Sequence, residues 1–185
     1  GDSCVSLTTR AACARCLQYV AGLHDTLAVA VLSTAFFCDK LLAHGISRTA
    51  QADDTEDSIF ELVESVSGLL AICAERATKA FWEQFGDDER FFTLLSSLLD
   101  VVLQRTSLSD MHHSTAATIS VVRTRAATHT LRLVGNVADA VTFASKLIRA
   151  ALPERLQHLA DRGGEVGLTA EGSARVAQMV RAISS

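Results

Sequence analysis

Apolar positions along this chain return every three or four residues, and they do not gather into the two-residue alternation of a half-buried strand. The strongest such stretch covers residues 80–103, AFWEQFGDDERFFTLLSSLLDVVL, which holds five of the ten aromatic side chains: Phe81, Trp82, Phe85, Phe91 and Phe92. It predicts a helical hairpin. Gly86 in a left-handed conformation would end one helix, and Asp87 would cap the N–H groups that open the next. Beyond the cap, Phe91, Leu94, Leu95, Leu98 and Val102 recur on a broad apolar face with Phe92, Leu99 and Leu103 beside them. This hairpin is expected to anchor the core.

The same period predicts the remaining helices. The first runs from Leu7 to about Ala21, capped by Ser6 and ended by Gly22, with Leu7, Ala11, Ala14, Leu17 and Ala21 on one face. Asp25 is expected to cap a second, which extends to about His44 and is apolar nearly all round, so it needs neighbours on several sides. After a loop over residues 46–54, a long third helix continues through Phe60, Val63, Val66, Leu70, Cys73 and Ala77 to Phe81, with Gly68 as the expected bend. A fifth follows the polar connection over residues 105–114, closed by Gly135; Asn136 is the expected cap of a sixth, over Val137, Val141, Ala144 and Leu147. Pro153 suits the first turn of a short seventh, and Thr169 is placed to cap the last, with Ala174, Ala177, Val180 and Ile183 inward. The expectation is an all-α chain of about eight helices in consecutive antiparallel hairpins, one domain over residues 1–185, as a short stack or an irregular bundle.

The odd-numbered helices begin near Leu7, Asp57, His112 and Glu154, a spacing in the range of two-helix repeats. Residues 123–136, RTRAATHTLRLVGN, form a small-residue helix with an apolar seam running into a short loop. This segment resembles the inner helix of an armadillo or HEAT repeat, and the resemblance covers about the last 100 residues. It implies a curved scaffold offering one helix face to another protein.

Charge adds an asymmetry. The net charge is −4, yet residues 1–104 carry 7 basic and 15 acidic side chains whereas residues 105–185 carry 10 and 6. The acidic block Asp53, Asp54, Glu56, Asp57, Glu61 and Glu64 falls around the start of the third helix, where the helix dipole favours it. Five cysteines make no even disulfide framework, which points to a reducing, intracellular and cytoplasmic setting. The most apolar run, residues 27–38, is too short to span a bilayer. A chain opening on Gly1 rather than Met is expected of a domain excised from a longer protein.

Chemistry-bearing patterns are sparse. Cys13 and Cys16, with His24 nearby, have half the spacing of a zinc site but no second pair; they read as two buried thiols one turn apart. His112 and His113 are adjacent and point apart on a helix, and His129 has no sequence-level partner. The Leu95–Leu99 stretch has the LxxLL form, but its leucines are needed for the core. The glycines at 163, 164 and 167 lack the preceding strand and the GK[ST] ending of a phosphate loop. No catalytic motif is present, so no catalytic residue, cofactor or metal is assigned. Arg123, Arg125 and Arg132 lie within ten residues and form a basic strip, without the exposed aromatics and strong positive charge of a nucleic-acid surface. The expected function is protein–protein interaction, with those three arginines steering an acidic or helical segment of a partner. The alternative is a bundle enclosing a lipid-like ligand.

Overall fold

The computed structural model describes residues 6–34, 56–108, 121–138, 152–164 and 168–184. Among these residues every element is helical: α1 (Leu7–Leu23), α2 (Asp25–Leu32), α3 (Glu56–Arg76), α4 (Thr78–Phe85), α5 (Glu89–Leu108), α6 (Val121–Ala138), α7 (Leu152–Asp161) and α8 (Ala170–Ser184). None of them is long and apolar enough to cross a membrane. The helices pack as a bundle around α3, which lies between α1 and α6. Its Phe60, Leu62, Val63, Leu69, Leu70, Ala71 and Cys73 are buried, facing several sides at once. Burial pushes the Cys73 thiol up to about 12, so it stays protonated and acts as a small apolar side chain.

The aromatic hairpin is the second focus of the core. Phe81, Phe85 and Phe91 are fully buried, with ring centroids 4.9 Å apart for Phe81–Phe85, 5.5 Å for Phe81–Phe91 and 5.6 Å for Phe85–Phe91. Leu95, Leu98 and Leu99 are completely enclosed, which commits the LxxLL stretch to packing. The turn differs in detail from the expected one. Gly86 is right-handed (φ −58, ψ −28), and its N–H continues to the Trp82 carbonyl. The cap falls one residue later, where the Asp88 carboxylate accepts from the Arg90 N–H at 3.0 Å and also holds its guanidinium.

Other boundaries shift for local reasons. The Ser6 hydroxyl caps α1 by accepting from the Thr9 N–H, but the helix runs past Gly22 to Leu23. His24 is extended (φ −159, ψ 149) and caps α2 through Nδ1, which accepts from the Thr26 N–H; Asp25 is therefore the first helical residue. α2 stops at Leu32, where the Ser33 and Thr34 hydroxyls donate to the Val29 and Val31 carbonyls. Leu27 and Val29 are exposed, so α2 is not buried all round; the rest of the predicted second helix lies outside the described residues. The long third helix breaks at Ala77 (φ −124, ψ 43), and Gly68 sits inside an unbroken α3. Gly135 and Asn136 lie within α6 and neither closes nor caps a helix there. In α8, whose first turn is capped by the Thr169 hydroxyl, Val176 and Ile183 are buried while Ala174 is exposed.

Candidate functional site

Small residues let α1 lie close to α3. Ala11, Ala14 and Ala21 make the inner side of α1, and Gly68 lies beneath Gln18, so close that a Cβ at Gly68 would stand 2.7 Å from Gln18 Nε2. This approach brings Arg15 to Glu64, with Nη2 3.9 Å from Oε2, while Asp25, at the start of α2, accepts from Arg76 Nη1 at 3.1 Å. Arg15 meets Glu64 and Gln18 meets Gly68, so the paired positions advance together and α1 and α3 run in the same direction.

α6 meets α3 from its other side, through buried Ala126, Ala127 and Thr130. Arg125 Nη1 lies 4.0 Å from Oε1 of the same Glu64. Two turns on, Arg132 grips Glu75 with two hydrogen bonds: Nε donates to Oε1 at 2.6 Å and Nη2 to Oε2. The Asn136 amide donates to Glu75 Oε1 at 3.2 Å, adding a further tie between α6 and α3. The Arg132 hydrogen bond holds the Glu75 carboxyl below its ordinary range and raises the Arg132 guanidinium correspondingly. Arg123 sets its guanidinium carbon 4.9 Å from the Phe60 ring centroid, a cation–π contact.

His129 lies on α6 between Arg125 and Arg132. Burial lowers its pKa first of all; Glu64 acts in the opposite sense, and Arg132 and Arg125 add to the lowering. Its Nδ1, and the hydroxyl of Thr130 beside it, are buried without a hydrogen-bond partner among the described residues.

The three arginines read from the sequence therefore occupy different settings. Arg132 is tied to Glu75 and Arg123 lies against Phe60, whereas Arg125 is 63% exposed and reaches Glu64 only at the limit of an ion pair. The fold adds a fourth cation, Arg15, 57% exposed, on the opposite side of the same carboxylate, which is itself only 14% exposed. On α7, Arg155 is held as firmly as Arg132, with Nε 2.7 Å and Nη2 3.1 Å from the two Asp100 oxygens. Of these arginines, Arg15 and Arg125 are thus the loosely held pair.

From Cys16 onward the outward side of α1 is apolar. Cys16, Tyr19, Val20 and Leu23 follow one another at helical spacing, with Tyr19 72% and Leu23 57% exposed, and Leu27 continues the line beyond the break at His24. Cys13 and Cys16 are exposed rather than buried, because the alanines take the inner face and leave the thiols outward. His24 is engaged as a helix cap, and no group of three or more His, Cys, Asp or Glu side chains among the described residues is placed to hold a metal ion. His112 and His113 lie outside the described residues. Sequence reasoning missed Arg15, Glu64, Tyr19 and Leu23 as a group. The available signal was Tyr19 and Leu23 falling opposite the alanine stripe, one and two turns after Arg15. No protein-family model, no curated protein and no solved structure matches this chain.

Proposed function

We propose that this domain is a protein-interaction module that offers a helical surface, centred on α6 and its contact with α3, to an acidic or helical segment of another protein. The observation that carries it is Arg15 and Arg125 sharing one carboxylate while both stay more than half exposed. Two cations held loosely by one anion leave charge available at the surface, and such charge steers and orients an acidic partner. Arg132 and Arg123 define the same strip and keep α6 seated on α3. The likeness of residues 123–136 to the inner helix of an armadillo or HEAT repeat rests on the small-residue apolar seam alone, since α6 continues through Gly135 to Ala138, and it implies a scaffold offering one helix face. The thiols of Cys13, Cys16 and Cys73, all free, suit an intracellular, cytoplasmic setting.

The test is quantitative affinity purification from the source cells with the native protein and with Arg125→Glu, both checked for unchanged helix content. The proposal expects a protein retained by the native surface and lost on charge reversal at low salt. Retention indifferent to Arg125 would contradict it. Native mass spectra showing a co-purified lipid would favour the pocket alternative.

A further inference from the structure

We propose that Cys13 and Cys16 form a two-thiolate site for a cuprous ion on the exposed side of α1. The sequence alone reads them as buried thiols, but both are free and exposed, because Ala11, Ala14 and Ala21 take the inner face of the helix. Free cysteine is among the most buried residue types. Two exposed thiols on one turn of helix depart from that habit.

The helix decides what the pair can hold. α1 runs unbroken from Leu7 to Leu23, through both cysteines. Positions three apart on a helix keep their Cβ atoms about 5–6 Å apart. A disulfide needs them within about 3.5–4.5 Å, so joining the sulfurs directly would deform α1. That turn has little freedom to deform, since Ala14 is fully buried and Gln18 lies against Gly68 one turn on. An ion between the sulfurs, with metal–sulfur bonds of about 2.3 Å, holds them about 4 Å apart or more and leaves the helix intact.

Thiolates are soft ligands and select cuprous ion, zinc or an iron–sulfur cluster. Structural zinc and the clusters take four protein ligands, whereas a cuprous ion is satisfied by two thiolates. Among the described residues no group of three or more His, Cys, Asp or Glu side chains is placed to hold a metal ion, so the pair offers two ligands. Binding releases two S–H protons and forms two S–Cu bonds; copper stays in the +1 state and no electron is transferred. The bis-thiolate complex carries one negative charge. Arg15, 57% exposed and between the two cysteines in sequence, and Arg10, one turn before Cys13, offset it. Because both cysteines are exposed, an incoming thiol can displace them one at a time, so the ion can enter and leave by ligand exchange.

The probe is cuprous ion, offered without oxygen to the full reduced chain in competition with the chromophoric chelator bathocuproine disulfonate. Cys4→Ser with Cys38→Ser should retain a tightly bound copper. In that background Cys13→Ser and Cys16→Ser should each weaken binding by about a hundredfold or more, since either turns a chelate into a single bond. The two changes together should lose little beyond either alone. X-ray absorption of the loaded chain should find two sulfur neighbours on copper, and circular dichroism should show the same helix content before and after loading. Should either serine variant lose helix content, alanine at the same position removes the ligand equally.

Tight binding that survives loss of Cys13 or Cys16 overturns the proposal, and so does binding that disappears with Cys4 and Cys38. A third or fourth ligand on copper, or helix lost on loading, overturns it as well.

Discussion

Arg132 and Glu75 form a two-hydrogen-bond clasp across the α6–α3 contact, which Asn136 completes from the next turn of α6. Both members are partly solvent-exposed, so solvent screens the pair, and its contribution to stability is about 1 kcal/mol or less. A double-mutant cycle with Glu75→Ala and Arg132→Ala, read by urea denaturation, should give a coupling of that size. Because the folded Glu75 pKa is lowered, its contribution is present above the unfolded value of 4.5 and is lost as pH falls through the folded value. The cycle should therefore shrink towards zero in acid. Coupling independent of pH would contradict the assignment.

His129 sets a second pH dependence at milder acidity. Its folded pKa lies below 6.5, so from about pH 6.5 downward the unfolded chain binds a proton that the folded chain refuses. Stability present above pH 6.5 is thus lost as pH falls through the folded value. The charged groups around the imidazole are Glu64 on α3 and Arg125 and Arg132 on α6. The urea midpoint of the native protein should fall more between pH 7.5 and 5 than that of His129→Asn. Parallel curves would show that burial of the ring is not the cause.

Gly68 separates a bend from a close contact. The structure makes it a contact inside a continuous helix, with the flexible end of Gln18 as the neighbour. Alanine at this position gains helix propensity of about 1 kcal/mol, and the Gln18 amide can swing aside. Gly68→Ala is expected to leave the melting temperature unchanged or raise it, whereas Gly68→Leu should lower it by forcing α1 outward. A clear loss in the alanine variant would contradict the unbroken helix.

The aromatic hairpin should be the costliest place to remove atoms. Phe91 is fully buried against Phe81 and Phe85, so Phe91→Ala is expected to cost about 3–5 kcal/mol. Chemical denaturation measures this directly, with Tyr19→Ala as the exposed control within about 0.5 kcal/mol of native. Similar losses for the two would invert the assignment of core and surface.

These residues also show what a sequence exposes and what it withholds. The helix class, the aromatic hairpin and the Ser6 and Thr169 caps were legible because periodicity and capping are local. Asn136 was misread because its side chain is engaged by a neighbour far along the chain, whereas Ala77 and Gly86 depart from the local pattern with only local backbone hydrogen bonds around them. Asn136 is drawn to Glu75, a partner 61 residues away. The candidate site was legible only in part. Arg125 was visible as a member of a strip, but its difference from Arg132 depends on which carboxylate of α3 each one meets. Arg15 and Glu64 sat in segments whose alignment follows from the alanines of α1 and from Gly68.

The most direct measurement of the central claim is capture of protein from an extract of the source cells on the immobilised chain, native against Arg125→Glu, across a series of salt concentrations. If Arg125 steers an acidic partner, the native chain retains a protein at low salt that the variant does not, and the difference closes as salt rises. Equal retention by the two at low salt would contradict it.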